Sequence, residues 1–221
     1  MPGSAPRTGL LCTTAGRCPP CSRCALPPPA FAGATETWLR CRLLARQHAQ
    51  VTWTAPEVTR TEPPSVADER SALQAWLDYH RATLRWKCAG LTGDQLVLRP
   101  AEPSTLSLLG LIRHMTEVER SWFRRRFGGQ TELPPVYYSD EQPDGDFDLT
   151  DPARAEADFA AFTAECAAAD EAARGHSLDE TFGTREPLDL RWIYLHMIEE
   201  YARHNGHADL LRERIDGVTG D

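Results

Sequence analysis

The 221-residue chain contains no run of 18 or more apolar residues, so no stretch of it suits a membrane-crossing helix. Its opening, MPGSAPRTGLLCTTAGRC, lacks the apolar core of a secretory leader. A basic excess is missing as well: 24 Lys and Arg stand against 32 Asp and Glu, a net charge of −8. Binding a phosphate backbone requires a basic face that displaces counterions, which argues against a nucleic-acid partner. Together these absences predict a cytoplasmic protein with neither membrane nor nucleic acid as partner.

A disulfide framework is also lacking. The seven cysteines are odd in number and crowd into the first fifth of the chain: Cys12, Cys18, Cys21, Cys24 and Cys41, followed only by Cys88 and Cys166. The run CPPCSRC has a spacing that suits zinc or an iron–sulfur cluster, but it stands beside LPPP with no helix or strand pattern around it. Disorder is the simpler reading. Ten of the 17 prolines precede residue 67, and residues 1–50 carry six Arg against one acid. Such a segment buries too little apolar surface to offset its ordering entropy. Residues 1–63 are therefore expected to be a disordered Pro/Arg/Cys-rich extension, and residues 64–221 the folded domain.

Past Pro64 there is almost no strand alternation, and four helical patterns appear. The first runs from Ser65, a candidate cap, to Gly90, with Leu73, Leu77, His80, Leu84 and Cys88 as its stripe. The second follows EPS and ends at Gly128-Gly129. The third starts at Asp151-Pro152 and continues through an Ala-rich stretch. The fourth spans Asp189 to Asp216. Four helices of this length predict an all-α four-helix bundle with its site between helices. The loop of about 20 residues between the second and third is long for a compact domain, which marks it as functional or mobile. A crossover of that length does not require helices 2 and 3 to be neighbours. Tyr137 and Tyr138, its paired aromatics, either line a substrate entrance or pin the loop.

In the fourth helix, alternating steps of three and four connect Ile193, Met197, Glu200, His204, His207, Leu211 and Ile215, so three polar groups interrupt one apolar seam. A buried carboxylate without a partner is costly, and its escape is protonation, a cation or a metal. Glu200 and His204 lie one turn apart and can converge on one ion, while His114 of the second helix is an inward-facing third donor. Two imidazoles and a carboxylate form the ligand set of catalytic zinc sites, and equally of the facial triad of non-haem iron(II). The competing readings are a hydrogen-bonded core histidine and a Glu200 that meets Arg113 or Arg120. His207, His196 and His80 are alternative or supporting ligands. The HExxH motif and the Glu-x-x-His pairs of di-iron bundles are absent, and Ala208 rules out a His-x-x-x-His pair beginning at His204.

The segments LSLLGLIRHMTEVERSWF and LRWIYLHMIEEYARHNGHADLLRERIDG resemble the DinB-like superfamily, in particular its mini-circle-type and mycothiol-dependent thiol S-transferase branch. The likeness covers about residues 66 to 217. It implies a four-helix bundle holding a divalent metal, usually zinc or nickel, through one ligand from helix 2 and two from the last helix. In the mycothiol-dependent isomerase branch that last pair is Glu-x-x-x-His, which Glu200 and His204 match, and His114 matches the helix 2 ligand. It further implies transfer of a low-molecular-weight thiol such as mycothiol to a small electrophile. A metal with an open position favours the thiolate of a bound thiol, so no protein nucleophile is needed, and Cys88 and Cys166 read as core hydrophobes. Arg191 is a candidate for the polar groups of the thiol. The alternatives are a metal-binding helical stress-response protein without turnover, or a metal-dependent hydrolase. Helical bundles commonly self-associate, so a homodimer is a candidate assembly.

Overall fold

The computed structural model describes residues 52–183 and 187–220. The expectations for the cysteine-rich start, CPPCSRC included, fall on residues 1–51 and lie outside the described residues.

Helix α1 (Glu69–Cys88) begins three residues later than a Ser65 cap would have it, because Asp68 is the cap: its carboxylate accepts the Ser71 amide at 3.0 Å. A one-turn helix, α2 (Gly93–Leu96), follows inside a Thr92/Gln95 capping box. Ser107 caps α3 (Leu108–Glu119) by accepting the Gly110 amide, and the helix continues as a π-helical segment, Arg120–Phe127. The connection that follows is long but built, and it contains α4 (Gly145–Asp148). Asp151 caps the 3₁₀ turn Pro152–Arg154, which leads into α5 (Ala155–Ala173). A two-residue antiparallel ladder, β1 (Thr181–Phe182) against β2 (Leu188–Asp189), pairs Thr181 with Asp189 and Phe182 with Leu188. Finally α6 (Leu190–Asp216) is capped by Asp189 on the Trp192 amide and stopped by Gly217 at φ +79°, a left-handed conformation that glycine adopts without steric cost.

The described residues are thus mostly helical, with four long helical segments. Packing sets α1 chiefly against α6 and α3 against α5, and α3 also touches α6. The long connection therefore still returns the chain to make α3 and α5 neighbours. The core takes Leu77 and Leu84 from α1, Leu111, Ile112 and Met115 from α3, Phe162 from α5, and Ile193, Tyr194, Met197 and Tyr201 from α6. Each such aliphatic or aromatic side chain contributes about 1.5–3 kcal/mol by leaving water. Upstream of α1, Ala55 is buried, exchanges backbone hydrogen bonds with Gly90 and Leu91, and lies beside Trp53, whose ring meets Phe159 edge-on. Packed chain thus reaches upstream of the Pro64 start expected from composition. A few apolar residues in a proline-rich stretch suffice when they meet a preformed surface.

One buried polar knot ties the four long segments together. Glu119 of α3 is fully buried, and Arg81 of α1 grips it through Nε and Nη2, both at 2.7 Å. The Tyr201 hydroxyl of α6 donates to the same carboxylate at 2.8 Å, and Arg81 also reaches Asp170 of α5. Cys166 lies against Glu119 and Tyr201, where burial and the neighbouring carboxylate push its thiol well up. Burial raises Cys88 to about 12. Neither thiol offers a thiolate at neutral pH.

Candidate metal centre

Two rows of side chains meet where α3 crosses α6. His114 from α3 and Glu200 with His204 from α6 each place one donor atom within 4.8 Å of the other two. The His204 Nε2 is 3.5 Å from Glu200 Oε2, and the His114 and His204 rings are 4.9 Å apart, centroid to centroid. All three sit at the margin of the core: their side chains are 25 %, 19 % and 11 % exposed for His114, Glu200 and His204. The seam read from the sequence is buried at Ile193, Met197, His204 and Leu211, but Tyr201, Asn205 and Ala208 also fill buried positions of that face while Glu200 and His207 flank it. Glu200 meets neither Arg113 nor Arg120. Arg113 is held by loop carbonyls and Asp158, and Arg120 by Glu165 and the Pro134 carbonyl.

Each of the three has a partner on the atom that faces away from the others. His114 Nδ1 donates to Asp146 Oδ2 at 2.8 Å, which leaves Nε2 free. His204 Nδ1 lies 3.3 Å from Nδ1 of His207. Glu200 Oε1 lies 3.5 Å from Nε2 of His196, a ring stacked on Trp192 and met edge-on by Trp122. Burial, followed by the charges of His114, His207 and Arg203, lowers the pKa of His204 to about 4. Its imidazole is therefore neutral at pH 7, the form in which histidine ligates a metal. A second trio, His196, Glu199 and Glu200, also converges, but Glu199 is half exposed and paired with Arg203.

Asp146 is the residue the sequence did not reveal. It belongs to α4, in the middle of the long connection, and α3 fastens that connection at two places. Arg113 donates to the carbonyls of Gly145 and Asp146 at 2.8 and 3.0 Å and lies under the Tyr137 ring. Glu117 accepts the Val136 and Tyr137 amides, both at 2.6 Å; burial raises its pKa, and those two amides oppose the rise. Tyr137 donates in turn to Asp158, whose pKa burial raises against the pull of Arg113. Gly145 permits the close approach, since a Cβ there would collide with the Tyr137 carbonyl. Phe147 stacks on the His114 ring at 4.7 Å. The sequence signal was slight: the acid-rich GDFD offers several carboxylates, and spacing does not say which one turns inward.

Between the loop and α3 lies a cleft of about 300 Å³, lined by His114, Val118, Trp122, Tyr138 and Phe147 among others. Tyr138 thus faces the candidate entrance, whereas Tyr137 pins the loop. His80 stands apart from the three donors, against Trp76, Tyr79 and Asn205, and burial lowers its pKa. Arg191 is engaged by Glu69 and Asp179 at the start of α6, where it clamps α1 to the chain preceding β1. Among the described residues, no helix is long and apolar enough to cross a membrane.

A search of curated proteins finds no match. A scan against family models matches residues 72–217, most of the chain and all of the elements that supply these donors, to the family described as mycothiol-S-transferase. The chain belongs to the mycothiol S-transferase family.

Proposed function

We propose that the protein is a divalent-metal-dependent thiol S-transferase in which His114, Glu200 and His204 hold the cation and mycothiol is the thiol. The observation that carries this reading is the convergence of three donors, each with a further polar partner, one of which, His114, lines an open cleft. The donor set fits such a cation: two imidazoles, one of them kept neutral by burial, and a carboxylate with no Arg or Lys within salt-bridge range among the described residues. Zinc suits these ligands best, and nickel and iron(II) use the same types. When bound, the cation supplies the positive charge that favours the thiolate of an incoming thiol at neutral pH.

The protein's own part is positional. Asp146 fixes the His114 tautomer so that Nε2 faces the other donors, and Phe147 keeps the ring from turning. A proton on His204 Nδ1, shared with His207, leaves the Nε2 lone pair on the Glu200 side. The aromatic wall of Trp122, Tyr138 and Phe147 provides a surface on which the electrophile rests beside the thiol. Buried Cys88 and Cys166 are spectators.

Elemental analysis of the purified protein, of Glu200→Ala and of His204→Ala tests the centre, and consumption of mycothiol with generic electrophiles tests the activity. About one divalent ion per chain, lost in both variants together with turnover, is the expected result. Unchanged metal content in both variants would end this reading, and metal binding without thiol consumption would leave a metal-binding protein that is not a transferase.

A further inference from the structure

The segment RSWFRRRF, residues 120–127, carries four arginines, and the π-helical turn distributes them between two faces. Arg120 and Arg124 pair with Glu165 of α5 at 2.7 and 2.9 Å. Arg125 and Arg126 have no carboxylate within 4 Å among the described residues. Among the described residues, Arg125 is half-buried, its Nε is buried without an acceptor, and its one polar contact is the Tyr138 hydroxyl at 3.3 Å. Arg126 lies over the Trp122 ring at 4.0 Å.

Tyr138 and Trp122 both line the cleft that starts at His114. The helix residues lining that cleft are His114, Glu117, Val118, Ser121 and Trp122; Arg125 and Arg126 follow them on the π-helical segment and touch two of the lining residues, Tyr138 and Trp122. Through those contacts the two guanidinium groups belong to the outer end of the cleft, beyond Trp122 as seen from the candidate ligand His114. A guanidinium with a buried, unmatched N–H is costly unless an acceptor arrives, and a planar fork of donors matches a carboxylate.

We infer that Arg125 and Arg126 form a carboxylate-binding subsite at the outer end of the cleft, so that the preferred electrophile is a flat molecule with a carboxylate remote from its reacting carbon. Trp122 and Phe147 supply the surface for the flat part. The acids Glu117, Asp144 and Asp146 also line the cleft and repel a negative charge beside them, which favours the arginine end for a carboxylate remote from the reacting carbon. A monoanion suits such an acidic cleft better than a dianionic phosphate. The role in turnover rests on the transferase reading; the binding does not.

The test uses two unreactive probes of equal shape, 3-phenylpropionate and 3-phenylpropionamide, titrated calorimetrically into the metal-loaded full-length protein, into Arg126→Gln and into Arg125→Gln/Arg126→Gln. The wild type is expected to bind the acid about tenfold or more tightly than the amide, because charge-assisted hydrogen bonds are involved. That preference should shrink in the single variant and vanish in the double variant, with the amide's affinity unchanged. A wild type that binds the acid no better than the amide overturns the inference, as does a preference undiminished in the folded single variant or surviving in the folded double variant. Mycothiol turnover is read separately. Its absence alongside an intact acid preference would remove the transferase reading and leave the subsite standing.

Discussion

Glu119 and Glu200 are both carboxylates on long helices at the junction of α3 and α6, and their surroundings are opposite. Glu119 has no exposed surface, a two-pronged arginine and a tyrosine hydroxyl. Both of its oxygens accept from buried donors, and the knot spans α1, α3, α5 and α6. Glu200 is one-fifth exposed and faces two imidazoles at 3.5 Å, with no Arg or Lys among the described residues in salt-bridge range. The first carboxylate is saturated and structural; the second fits the proposed cation. Tyr201, which helps to satisfy Glu119, is the next residue after Glu200, so a matched carboxylate and an unmatched one meet in adjacent residues of one helix. That contrast, more than the presence of two histidines, separates a ligand constellation from core polarity.

The largest effect should come from breaking the saturated side. Glu119→Ala strands Arg81 in the interior, and removing one partner of a buried pair costs about 3–5 kcal/mol. Chemical denaturation should show that loss, while the molecules that remain folded keep their metal. Glu200→Ala should do the reverse. Its apoprotein should unfold within about 0.5 kcal/mol of wild type, as surface changes usually do, yet bind metal more than about 100-fold less tightly, beyond what an outer partner costs. If Glu119→Ala abolished metal binding in folded protein and Glu200→Ala did not, the assignment of the two roles would be inverted.

How much of this contrast the sequence disclosed follows from what each feature depends on. His114, Glu200 and His204 were legible because helical spacing projects i, i+4 neighbours onto one face, and because polar residues on an apolar stripe stand out. The four long helical segments were legible for the same reason, together with their Asp and Gly boundaries. The saturated knot was not, since Arg81, Glu119 and Tyr201 come from three separate elements and each looks ordinary in its own helix. Asp146 was hidden likewise: its role depends on a loop whose path is fixed by Arg113 and Glu117, residues that read locally as plain surface charges. Arg191 was expected near the thiol, but that expectation could not include Glu69 and Asp179, its partners 122 and 12 residues away. Tertiary pairing is invisible to periodicity.

A smaller effect sharpens the comparison from the outer side of the centre. Asp146→Asn preserves shape and removes the charge that orients His114, so metal affinity should fall about 10- to 100-fold, the usual cost of an outer partner. Competition against a chromophoric chelator measures it. Stability of the apoprotein should barely change, because Arg113 holds this loop through backbone carbonyls and not through the Asp146 carboxylate. A large loss of stability with unaltered affinity would show that Asp146 serves the loop and not the histidine.

The smallest effect belongs to a third kind of charge pair, neither buried nor waiting. Arg191 is clasped by Glu69 and Asp179 in short hydrogen bonds, but both acids are more than half exposed. Solvent screens such pairs, and their median worth is about 0–1 kcal/mol. Arg191→Ala should therefore lower stability by no more than about 1 kcal/mol, less in high salt, and leave metal content and mycothiol turnover as in wild type. A pronounced rise in KM for the thiol would instead return Arg191 to the substrate. It would also mean that a well-formed surface clamp can mask a binding residue, and short distances alone would then not distinguish the two.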